Sequence, residues 1–114
     1  MQASAWVYSS RVLGNTVKNP RGEELGKLEE IVINLDEGRP LYVVLALDSG
    51  FLKADKLVAV PWSLVRVSQD EGTLILDVDR DIFDNVPVFE KNRWPDMSDP
   101  RWTESVHTYF QTST

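Results

Sequence analysis

The residues with the most chemical potential form the acidic run Asp77-Val78-Asp79-Arg80-Asp81-Ile82-Phe83-Asp84. Alternating carboxylates of this kind open a calcium loop, which also needs a Gly at its sixth position and a Glu at its twelfth. Those positions hold Ile82 and Val88, so the run reads as a solvated strand end entering a turn. Gly22-Glu23-Glu24-Leu25-Gly26-Lys27 has the glycines and lysine of a phosphate-binding loop. It is one residue short, however, and lacks both the hydroxyl residue after Lys27 and a following helix. His107, the single histidine, could act as a general base only if a nucleophile and an orienting carboxylate converged on it. Its neighbours Thr103, Glu104 and Ser105 share its segment, and a solvent-facing side chain is the expectation. Glu29 and Glu30 adjoin in a strand and point to opposite faces, so they cannot share a proton as a carboxylate pair. No catalytic residue, metal site or cofactor is expected, and the chain reads as a non-enzyme.

Composition narrows the classes further. With 114 residues the chain holds one domain plus a short extension. There is no cysteine, which removes disulfides, thiolate-bound zinc and thiol nucleophiles. Twelve Lys and Arg against eighteen Asp and Glu leave a net charge of −6 and a pI near 4.7. Phosphate backbones attract clustered cations, so direct nucleic-acid binding is not expected. No apolar run approaches the roughly 18 residues of a membrane span, and the first residues lack the pattern of a secretion signal. A cytoplasmic address without a membrane anchor is the expectation.

Tryptophan, enriched both in cores and at interface centres, offers the remaining chemistry. Trp62 is expected in the core or at its end. Trp94 and Trp102 flank a Pro-rich connection, and Trp6 and Tyr8 lie near the start. These aromatics either pin the tail to its own domain or contact another protein, and both readings stay open. Trp94, Trp102, Tyr109 and Phe110, with Arg93 and Arg101 as rim hydrogen-bond donors, are the candidate interface. Phe51, beside Leu52 at a loop tip, is a smaller candidate patch.

The elements that would carry these residues are mostly strands. Turn signals divide the first 80 residues into short apolar segments without a long helical period. Asn19-Pro20-Arg21-Gly22 predicts a hairpin turn between strands at about 16–18 and 25–35. Gly26 marks a bulge or a close backbone approach, after which Ile31, Ile33 and Leu35 alternate with Val32 and Asn34. Leu41–Leu47 is apolar on both faces and predicts a central strand. Leu57–Val60 resumes extended structure until Pro61, and Trp62–Val65 forms a single turn before a strand over 66–69. Asp70-Glu71-Gly72 then predicts a hairpin into a strand over 73–79, with Leu74, Leu76 and Val78 on one face. Asp99-Pro100 reads as an N-cap and first helical residue. The helix over 100–110 would place Trp102, Val106, Tyr109 and Phe110 along one side. The pattern is all-β, a small barrel or sandwich that ends near residue 80 to 90 and is followed by a short C-terminal helical extension.

Leu13-Gly14, Asn19-Pro20-Arg21-Gly22-Glu23, Leu25-Gly26-Lys27-Leu28-Glu29 with Val32-Ile33-Asn34, and Val58-Ala59-Val60-Pro61-Trp62 occur in the order and spacing of a known family. Over about residues 9–85 the chain resembles the PRC-barrel family. That family includes the cytoplasmic part of the photosynthetic reaction-centre H subunit, the C-terminal half of ribosome-maturation factors, and stand-alone bacterial proteins. The chain looks most similar to the stand-alone members. The resemblance implies a small all-β barrel over 9–85, between an appendage over 1–8 and an extension over 86–114, that serves as a protein-binding or assembly module without an active site; the apolar period of the tail adds the expectation that it self-associates as a homodimer through a barrel edge or the aromatic tail. Its alternatives are an accessory role in RNA processing, ribosome maturation or photosynthetic complex assembly through a protein partner, and, further off, a metal-dependent enzyme.

Overall fold

A computed structural model describes residues 6–47, 56–68 and 73–112. The expected loop with Phe51 and Leu52, and the turn at 70–72, lie outside the described residues. In chain order the elements are helix α1 (Ser9–Val12), strands β1 (Thr16–Lys18), β2 (Glu24–Asn34), β3 (Arg39–Ala46) and β4 (Lys56–Pro61), a 3-10 turn (Trp62–Leu64), strands β5 (Val65–Ser68) and β6 (Thr73–Leu76), a second 3-10 turn (Arg80–Asp84), strand β7 (Phe89–Glu90) and helix α2 (Pro100–Thr112). All seven strands join one sheet in the order β5-β6-β1-β2-β3-β4-β7. Every pairing is antiparallel except β1 with β6, which meet at Lys18 and Ile75. The all-β architecture with a short C-terminal helix is therefore the one the residue pattern anticipates.

The turn before β2 is organised by Asn19, which is buried. Its side-chain oxygen accepts the N–H groups of Arg21 and Glu23 at 3.1 and 3.0 Å, and its amide donates to the Glu23 carboxylate at 2.8 Å. Gly22 supplies the left-handed residue, at φ +82°. Gly26 is a close-approach point: a Cβ there would lie 2.6 Å from the Ala46 carbonyl oxygen of the neighbouring strand.

Two features depart from simple alternation. The β2–β3 register shifts between Leu28 and Glu30 and again between Val32 and Ile33. These bulges re-aim the strand end, so Ile31 is half-buried whereas Ile33 and Leu35 are exposed, Leu35 at 89%. The strand expected over 73–79 ends at Leu76, because the chain turns there and Val78 N–H donates to the Leu76 carbonyl. Leu74, Leu76 and Val78 are nevertheless all buried.

Among the described residues the strand order ends at β5 and β7, but the sheet is not flat. β4 and β5 are joined by only Trp62–Leu64, yet lie five places apart in the strand order. Five steps of a flat sheet would separate them by about 24 Å. The four Cα steps from Pro61 to Val65 reach at most about 15 Å. The sheet must roll, which brings its far strands around one core containing Val17, Leu28, Val43, Leu45, Val58, Val60, Leu74 and Leu76. It is a rolled, barrel-like sheet that no strand pairing closes among the described residues.

β3 lies inside the sheet between β2 and β4 and is buried on both faces, as its unbroken apolar run requires. Its register sets Tyr42 against Pro61, Val44 against Ala59 and Ala46 against Leu57 on the outer face. Helix α2 packs over this face. Its start is capped by Asp99, whose carboxylate accepts Arg101 N–H at 2.9 Å while its carbonyl accepts the N–H groups of Trp102 and Thr103. Asp99→Ala is expected to cost about 1 kcal/mol of unfolding free energy in urea titrations. No loss would show that Pro100 alone sets the helix start.

Candidate functional site

The acidic run does not assemble a ligand cage. Asp79 pairs with Arg21, Asp77 lies 3.6 Å from Arg66, and Asp81 belongs to the 3-10 turn between them and β7. Among the described residues no three His, Asp or Glu side chains gather as a metal site would require. Lys27 continues strand β2, with no helix after it. Glu29 pairs with Lys91 at 2.8 Å, and this hydrogen bond and charge hold the Lys91 ammonium above its ordinary pKa. His107 is exposed but not purely solvent-facing, since its Nε2 lies 3.3 Å from the Tyr42 hydroxyl. Tyr42 itself is 2% exposed, and burial pushes its pKa up. Its ring meets Trp102 edge-on at 5.3 Å. This trio is a packing contact between α2 and the sheet.

The candidate interface residues divide by depth. Phe110 is 4% exposed and, with Val106, belongs to the chain's own core. Trp102 and Tyr109 are half-buried, and the Tyr109 hydroxyl donates to the Ile82 carbonyl. Trp94 remains 40% exposed. It packs on Phe89 at 5.1 Å between ring centres, and its Nε1 donates to the Lys91 carbonyl at 2.9 Å. Arg93 is exposed beside it, and Arg101 is exposed with Asp99 at 3.3 Å. Far from this cluster in sequence, Trp6 is 73% exposed and meets Tyr8 edge-on at 5.5 Å.

Between α2 and the segment leading into β7 lies a cleft of about 250 Å³. Its walls are Val86, Pro87, Val88 and Phe89 on one side and α2 from Trp102 to Phe110 on the other, through Trp102, Ser105, Val106, Tyr109 and Phe110, with Pro95 and Ala59 also contributing. None of these side chains is a carboxylate, ammonium or guanidinium. Ser105 donates within its helix to the Trp102 carbonyl, so the walls offer chiefly apolar and aromatic surface. The cleft can hold an apolar group. Phe89 and its flanking prolines were not singled out from sequence, because a two-residue strand has no measurable period. The only local signal was Pro87 and Pro95 bracketing a short segment unable to be helical.

A family model for the PRC-barrel domain matches residues 7–82. This chain belongs to the PRC-barrel family. PRC-barrel domains are generally non-catalytic modules. The matched span contains β1 to β6, whereas β7, α2, Trp94 and every cleft wall except Ala59 lie beyond it. The aromatic site is thus built where the segment beyond the matched span packs on the sheet. A comparison with curated proteins returns no match. Among the described residues no helix is long and apolar enough to cross a membrane.

Proposed function

We propose that this PRC-barrel chain is a non-catalytic assembly module that self-associates through the aromatic surface formed by Trp94, Phe89 and the adjoining cleft. The observation that carries the reading is Trp94 itself. A large ring left 40% exposed, supported beneath by Phe89 and beside an apolar cleft, has the anatomy of an interface anchor. Arg93 and Arg101 stand at the rim, where guanidinium groups supply directional hydrogen bonds at little desolvation cost. The backbone route to association is poorly developed at this end of the sheet. β7 has only two residues, and its chain turns back at once through the Glu90–Arg93 bridge.

Trp94→Ala is expected to weaken self-association by at least about tenfold, the scale for truncating an interface anchor. Sedimentation velocity over a concentration series reads the change, with circular dichroism confirming the fold. An unchanged dissociation constant in the folded variant would remove this surface from the interface.

A further inference from the structure

The other sheet edge carries an unexpected contact. Asp77 N–H donates to the Leu64 carbonyl at 2.9 Å, and Val65 pairs with Leu76, Arg66 with Ile75. In an antiparallel ladder this parity turns the backbone groups of Arg66 toward β6 and those of Val65 and Val67 outward. The Val65 N–H is satisfied by the Trp62 carbonyl. The Val65 carbonyl is covered by its own neighbour: Arg66 Nη1 donates to it at 3.1 Å and to the Ser63 carbonyl at 3.0 Å. Asp77, 3.6 Å from the other guanidinium nitrogen, helps to hold it there. Among the described residues no strand pairs with this outer edge, and Val67 is exposed.

We infer that Arg66 guards the β5 edge against strand addition by a second copy of this chain. The register that uses both outward residues sets Val65 opposite Val67 of the partner subunit about a two-fold axis. Each Val67 N–H would then need a Val65 carbonyl as acceptor, the group that the guanidinium occupies. The same axis places Arg66 directly opposite Arg66 of the partner subunit, and like charges across an antiparallel pair are repulsive. One side chain therefore opposes the pairing twice, by occupying an acceptor and by carrying charge. What it holds back is a short Val-rich edge of the kind that pairs readily when uncovered. The guard directs association away from the backbone edge and toward surfaces made of side chains.

Arg66→Val and, separately, Arg66→Thr test the inference in the full chain. Both are expected to reach at least twice the mass of the unsubstituted protein by light scattering, increasing with concentration. Adding Val67→Pro removes the N–H that the pairing needs, at an edge position that tolerates proline, and is expected to restore the original mass. Adding Trp94→Ala to Arg66→Val is expected to leave the edge-paired dimer, at twice the monomer mass, which separates this edge from the aromatic surface. Original mass in either folded single variant would overturn the inference, as would assembly that persists with Val67→Pro.

Discussion

Phe110→Ala is expected to lower the unfolding free energy by about 3–5 kcal/mol, the range for removing a buried phenyl ring. For a chain of this size the corresponding fall in Tm is about 10 °C or more. Phe110 sits near the end of α2, 4% exposed, and its ring meets Tyr109 edge-on at 5.3 Å. A helix of 13 residues is marginal alone in water, so α2 depends on what its buried face grips. Among its described residues Val106 and Phe110 are the buried ones, and losing the larger leaves a cavity beside Ala59 of β4. Urea titration followed by tryptophan fluorescence measures the loss, and Trp102 reports undocking because its ring rests on Tyr42. Glu104→Ala, on the exposed side, serves as the control and is expected to change stability by less than about 0.5 kcal/mol. A loss below about 1 kcal/mol for Phe110→Ala would show that the helix is not anchored there.

Gly26→Ala is the second large effect, with an expected loss of about 2–3 kcal/mol, and Gly26→Val a greater one. The added Cβ would meet the Ala46 carbonyl oxygen at 2.6 Å and its carbon at 3.3 Å. These are backbone atoms of β3 and cannot swing aside as a flexible side chain could. Relief requires β2 and β3 to separate where Lys27 pairs with Ala46 and Leu28 with Leu45. Gly22 makes the contrast, since its φ is +82° but a Cβ there meets nothing within 4 Å. Gly22→Asn keeps a residue that tolerates the left-handed region and is expected to cost less than about 1 kcal/mol. Equal losses at the two positions in chemical denaturation would mean that close approach is not what requires Gly26.

Local order was legible where a few neighbouring residues decide it. Asn19-Pro20-Arg21-Gly22 forms its turn because Asn19 bonds within the same loop, and Asp99-Pro100 starts α2 by capping its own N–H groups. Leu41–Leu47 declared an interior strand by being apolar at consecutive positions. The order and spacing of such segments also carried the family resemblance. The incompleteness of the calcium-loop pattern was legible in the same way, from Ile82 and Val88 at its sixth and twelfth positions.

Contacts made across the fold were decided only by the tertiary structure. The aromatic stripe of α2 required a cover, but its period is the same whether that cover is its own sheet or another chain. The rolled sheet supplies it, taking Val106 and Phe110 into the core and leaving Trp94 at the surface. The pairing of Tyr42 with His107 spans 65 positions, and the Arg66 guard depends on which way the β5–β6 register turns two carbonyls. Period and turn chemistry describe one segment at a time. Burial and edge exposure depend on which segments meet, and here that is set by how a seven-stranded sheet must roll when three residues link β4 to β5.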